Sequence, residues 1–214
     1  MNHPKSPLFI LSALVYLAFL SCNQTSVTEL PVYNPSDFNP DLVDISLRNK
    51  NEDHKVSDFE LINQNGELVT QKDYEGYIYV VDFFFTKCLS ICPVMTNNMA
   101  KLQNEFLTND RIKFLSVSVT PNIDSIPVLR KYATEKGVID SKWNITTGSK
   151  KHIYELARKS YFAVVTQGDG GLQDFIHTPN FILVDRSKQI RGIYDGTNDA
   201  DIQHIISDIK VLMN

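Results

Sequence analysis

The sequence predicts an α/β domain, a central mixed sheet flanked by helices with an added N-terminal hairpin. Strand-like runs rich in β-branched and aromatic residues alternate with stretches of helical periodicity. Hydrophobic residues make up 43% and aromatic residues 10% of the 214 residues, enough to build a core and too many for a disordered chain. Only three cysteines occur, so no disulfide framework holds the fold together. Lys and Arg number 21 against 25 Asp and Glu, a formal charge of −4, which argues against nucleic acid as a partner.

The elements follow in order. Val56–Ile62 and Glu67–Thr70 flank Asn63-Gln64-Asn65-Gly66, whose Asn-Gly pair marks a hairpin. Tyr77–Phe85 is a nearly unbroken apolar and aromatic run, as expected of a strand buried on both faces. From Val94 to Phe106, Met95, Met99, Leu102 and Phe106 share one helix face. Ile112–Val119 returns to strand, Asp124-Ser125 and Pro127 open a helix that Gly137 closes, and Ser149–Lys159 is a further helical stretch. Phe181–Val184 and Gln189–Tyr194 are strands around the turn Asp185-Arg186-Ser187-Lys188. Asn198 caps a last helix with Ile202, Ile205, Ile206 and Ile209 on its apolar side. This order is thioredoxin-like, and the Rossmann alternative lacks its glycine fingerprint.

The first residues stand apart from that domain. Met1–Pro7 carries Lys5, and Leu8–Leu20 is apolar except for Ser12, the layout of a secretory signal over residues 1–21. The run of thirteen is short for a membrane span, which needs about 20 residues. Leu20-Ser21-Cys22 resembles the end of a lipobox, which makes Cys22 the expected lipidation site; an uncleaved N-terminal anchor is the alternative. Residues 22–51, interrupted by Pro31, Pro35 and Pro40, read as a flexible tether, and residues 52–214 as the domain. The chain is thus expected to be exported and membrane-tethered in an oxidising compartment, the periplasm if it is a bacterial lipoprotein.

The chemistry gathers at one strand end. Cys88-Leu89-Ser90-Ile91-Cys92-Pro93 follows the buried strand directly. Proline suits the first helical position, so the helix is expected to begin at Pro93, with Cys92 as N-cap and Cys88 in the loop before it. A helix N-terminus stabilises thiolates, and Lys87 adds positive charge. Two such thiols can cycle with a disulfide or chelate a soft metal such as Cu(I). The bland alternative is a pair of inert buried cysteines, and structural zinc lacks its four ligands. Among the five histidines, His3 leaves with the signal, His54 precedes the first strand, and His152 and His204 lie in polar helices. His177 ends a glycine-rich loop before the strand that should lie beside the cysteine turn, which makes it the expected third ligand. Met95, one turn into the helix, is a weaker thioether candidate, with core packing the commoner use.

Phe83–Pro93 resembles the core motif of the Sco/SenC family of copper-binding assembly proteins. Ser116–Pro121 with Asp124, Val128-Leu129 and Tyr132-Ala133 resembles that family's second block, Trp143 with Thr147-Gly148 its third, and His177-Thr178 before Phe181–Asp185 its fourth. The resemblance implies a thioredoxin fold that binds one copper ion, Cu(I) or Cu(II), through Cys88, Cys92 and His177. It also implies delivery of copper to, or thiol reduction of, the binuclear copper site of cytochrome c oxidase, with the oxidase's copper-accepting subunit and thiol reductant proteins as partners. Thr120 stands where the family has Asp, and Ile145-Thr146 replaces its more usual pair, so a change in a docking surface is expected at Thr120. Thr178-Pro179 is similar to the cis-proline loop of thioredoxin-like reductases. Two functions therefore stand side by side, a copper chaperone and a thiol–disulfide oxidoreductase with Cys88 and Cys92 as its redox-active disulfide. A peroxidase reading finds no arginine in a recognisable partner motif.

Overall fold

The computed structural model describes residues 29–38, 43–44, 46–47, 53–168, 170–171 and 173–214. The signal segment and Cys22 lie outside these residues. Among the described residues, no helix is long and apolar enough to cross a membrane.

β1 (Glu60–Asn63) and β2 (Leu68–Thr70) form the expected hairpin. Asn63 donates its amide to Glu67 and accepts from Gly66, which holds the turn with φ +81°, a conformation open to glycine. Then come β3 (Ile78–Phe84), α1 (Ile91–Glu105), β4 (Ile112–Ser118), α2 (Ile126–Glu135) and β5 (Trp143–Thr147). β6 (Asn180–Val184) and β7 (Ile190–Asp195) make a second hairpin. Between β5 and β6 lies α3 (Lys150–Glu155), which runs into a π-helical turn, Leu156–Ser160. α4 (Asp199–Met213) closes the chain, with the Asn198 side chain accepting from the Ala200 amide as its cap.

The seven strands lie in the order β2-β1-β5-β4-β3-β6-β7. β3, β4 and β5 run parallel; β6 returns antiparallel beside β3. β3 is an inner strand buried at all seven positions, so its side chains serve two cores in alternation. Ile78, Val80 and Phe84 face the layer of α1, α2 and α4, whereas Tyr79, Val81 and Phe83 face the layer built on α3 and its π turn. Met95 and Met99 are fully enclosed in the first layer, so Met95 is packing material.

Three expectations need correction. Residues 143–147 carry no strand in the sequence reading, because Asn144 and two threonines disguise a short run; in the fold they are the inner strand β5. The predicted helix 149–159 is α-helical only to Glu155 and then widens. Residues 29–38, assigned to the flexible tether, dock along β7. There the Tyr33 amide donates to Ile190, and Arg191 donates to the carbonyls of Leu30 and Pro31.

Candidate dithiol site

The chain leaves the C-terminal end of β3 at Phe84 and enters α1 at Ile91, with Ser90 as N-cap. The helix therefore begins two residues earlier than expected. Cys92 is its second residue, and Pro93 falls at the third position, where the amide would still lack a partner within the helix. This shift draws the thiols together. The Cys92 amide, one of the unpaired donors of the first turn, points at Cys88 Sγ from 3.4 Å, and Ser90 Oγ lies 3.6 Å from the same sulfur. Both cysteines are buried and both are free thiols.

Their environments push them apart. Burial raises the Cys88 thiol, but hydrogen bonds from the Cys92 side chain and amide and from Ser90 outweigh it and bring Cys88 down to about 6. Cys92 is pushed up to about 12, first by burial, then by its bond to Cys88, with Asp82 adding negative charge nearby. One thiolate and one thiol therefore coexist at neutral pH, Cys88 being the reactive one.

Asp82 is the polar member of β3, 1% exposed, and accepts from Ser116 Oγ at 2.5 Å; the Trp143 indole donates to that same hydroxyl at 2.9 Å. Burial raises its carboxyl to about 7. A second buried carboxylate, Asp124, ties the thiol loop to the β4–α2 connection. It accepts from the Thr86 amide (3.2 Å) and hydroxyl (2.5 Å), from Ser118 Oγ (2.6 Å) and from Thr120 Oγ1 (2.9 Å). Thr120, expected to alter a docking surface, thus turns its hydroxyl to this carboxylate.

His177 sits on an extended stretch in which Ile176 and Thr178 are buried while Phe175 and His177 are exposed. Phe175 and His177 flank Phe85, the residue that opens the thiol loop, at ring-centroid distances of 5.2 and 6.1 Å. The fold thus brings His177 to the residue from which the cysteine loop springs. Yet among the described residues no three His, Cys, Asp or Glu side chains converge closely enough to hold a metal. Cys88 and Cys92 are together; the imidazole stands outside them. The Thr178-Pro179 bond is trans, since no cis peptide occurs among the described residues. His54 and His152 are engaged elsewhere, His54 Nε2 2.7 Å from the Ser160 carbonyl and His152 Nε2 accepting from the Glu60 amide, and His204 lies exposed beside Asp201.

Sequence reading missed Asp82, Phe85 and the pair Arg158–Asp174, which braces the histidine loop with a bidentate contact of 2.7 Å on each arm. For Asp82 a signal existed: a carboxylate inside an otherwise apolar strand needs a reason. For Arg158 none did, because its partner is fixed only by the tertiary fold.

The sheet, the strand-to-helix cysteine pair and the facing loop define a thioredoxin-like dithiol domain. The profile of the SCO1/SenC family matches residues 48–214, and the chain belongs to that family. The SCO1 protein homolog of Bacillus subtilis is 34% identical over 159 residues, 73% of this chain and 82% of that protein. The structure of BsSco, a member of the Sco family of cytochrome c oxidase assembly proteins in which a disulfide switch has been identified, superposes with a TM-score of 0.63 at 33% identity, covering 74% of this chain and 93% of that one. Bradyrhizobium japonicum ScoI, solved with copper bound, shares the fold at 21% identity and a TM-score of 0.58, over 74% and 99% of the two chains.

Proposed function

We propose that this chain is a copper carrier that binds one copper ion through Cys88, Cys92 and His177 and hands it to the copper-accepting subunit of cytochrome c oxidase. The observation that carries this reading is the dithiol itself. Cys88 is already ionised near neutral pH, Cys92 lies against it, and an exposed imidazole stands across Phe85. Thiolates suit Cu(I), and imidazole widens the set toward Cu(II). Copper entering the site displaces the Cys92 proton, and His177 must swing toward the sulfurs to complete the set. A site whose third donor comes from a separate loop can release copper by losing that donor first. Copper in Bradyrhizobium japonicum ScoI and the oxidase-assembly role of the Sco family to which BsSco belongs support the reading. Cys22, as a lipidated residue, would tether the domain to the membrane facing the periplasm.

The split between the two thiols favours a second reading, a thiol–disulfide oxidoreductase. Cys88 thiolate attacks a partner disulfide, forming a mixed disulfide and expelling one partner thiolate. Cys92 then loses its proton and attacks Cys88 Sγ, which releases the second partner thiolate, leaving the partner reduced and the domain oxidised. The discriminating experiment is copper stoichiometry and affinity of the reduced protein with His177→Ala beside it. We expect one copper per chain, weakened about tenfold or more by the substitution. Copper retained at full affinity by the variant would sink the three-donor reading; no tight copper beside a readily cycled Cys88–Cys92 pair would select the oxidoreductase.

A further inference from the structure

Among its described residues, the segment that carries His177, Tyr161–Pro179, contains neither helix nor strand. Something other than backbone ladders must fix it, and the fold supplies a buried ion pair. Arg158, on the π-helical turn, directs both arms of its guanidinium at Asp174 while its Nε donates to the Thr166 carbonyl at 2.8 Å. The side chains of the pair are 6% and 10% exposed. Gly170 gives its amide to the same carboxylate at 2.8 Å, and Lys150 Nζ reaches the carbonyls of Gly171 and Asp174 at 2.6 and 2.8 Å. One glycine of the loop has a cause in this pair. A Cβ on Gly168 would run into Arg158 Nη2 and Asp174 Oδ2, so this backbone must stay bare to close over the pair.

A buried ion pair is a costly way to secure stability, since well-packed apolar residues often do as well. Its advantage is geometric: a bidentate fork fixes distance and direction together. From Asp174 the chain needs three residues to reach His177, and Phe175 and Ile176 on the way are held against Phe85 and in the core. Asp174 thus anchors one end of a three-residue span whose other end is the imidazole.

We propose that Arg158 and Asp174 are positioning residues for His177, holding the imidazole beside the thiol loop so that it can join and leave the copper. This rests on the three-donor reading above. Arg158 and Asp174 bond to each other, to Thr166 and to Gly170, whereas Cys88 bonds to Ser90 and Cys92, so the pair is expected to act on His177 and to leave the thiols alone.

The test compares wild type, Asp174→Asn, Arg158→Lys and His177→Ala, and the double variant Asp174→Asn with His177→Ala. In metal-free protein, the imidazole proton resonances of His177 are followed by NMR, and the alkylation rate of Cys88 reports the thiol loop. In Cu(II)-loaded protein, the thiolate-to-copper absorption and the rate of copper loss to a chelator are followed. We expect Asp174→Asn to move the imidazole resonances and to speed copper loss about tenfold, with Arg158→Lys intermediate and Cys88 alkylation unchanged. In the His177→Ala background the same substitution should add nothing. Unmoved imidazole resonances with wild-type copper loss would overturn the proposal, as would a full effect of Asp174→Asn in the absence of His177. If His177→Ala itself loses copper at the wild-type rate, the three-donor reading fails, and the imidazole resonances alone decide whether the pair positions His177. Should Asp174→Asn not fold, Gly168→Ala, which crowds the fork while keeping both charges, is read by the same measurements.

Discussion

The loop that carries Cys88 is short and tied at its ends, to β3 and Asp124 on one side and to the first turn of α1 on the other. The segment that carries His177 is long, shows neither helix nor strand among its described residues, and leans on Arg158 and Lys150 from the neighbouring helical turns. Local geometry places the cysteine pair; tertiary contacts place His177. A side chain fixed by its own strand and helix is hard to move, whereas one fixed by a few charged contacts can shift without unfolding the sheet.

The largest expected effect follows from breaking the rigid side. Asp124→Ala removes the acceptor for four hydrogen bonds and strands Thr86, Ser118 and Thr120, three hydroxyls and an amide. It should cost about 2–4 kcal/mol, read from the urea midpoint, with Asp124→Asn recovering part of the loss. A midpoint unchanged by Asp124→Ala would show that the carboxylate does not brace the loop.

A smaller effect sharpens the contrast between the thiols. With Cys88 at about 6 and Cys92 at about 12, alkylation of Cys88 should be half-maximal near pH 6 and level off by pH 8, while Cys92 stays unreactive until strongly alkaline pH. Mass-mapped alkylation rates across pH check this. A shared midpoint near the ordinary thiol value, about 8.5, would mean that the Cys92 amide and Ser90 do not hold the Cys88 thiolate.

How far the sequence discloses this arrangement follows from the same contrast. The strand 77–85, the cysteine turn and the cap at Asn198 are written in adjacent residues, so periodicity and turn chemistry find them. The start of α1 was misplaced by two residues because Pro93 suits several first-turn positions, and only the fold selects among them. β5 was missed because a short inner strand with Asn144 and two threonines lacks the apolar signature. His177 was legible as a candidate from its place before β6. Its brace was not, since Arg158 and Asp174 lie 16 residues apart on a turn and a loop that meet only in the folded chain.

Asp82 carries a consequence of another kind, a proton that folding takes up. In the unfolded chain its carboxyl titrates at the ordinary value, about 4, whereas in the folded chain burial holds it at about 7. Between those values the native state binds a proton that the unfolded state has released. The contribution of this group is therefore complete below pH ~4 and declines as pH rises through 7. Asp174 and Asp140 act in the opposite direction, since their lowered values give stability that acid removes. Cys88 also opposes Asp82, because its lowered value gives stability that is lost as pH falls through about 6. The two groups separate at pH 5, where Cys88 is protonated in both states, so calorimetric unfolding there in two buffers of different ionisation enthalpy should register net proton release from Asp82. Unfolding without that release at pH 5 would mean that Asp82 is ionised in the native sheet.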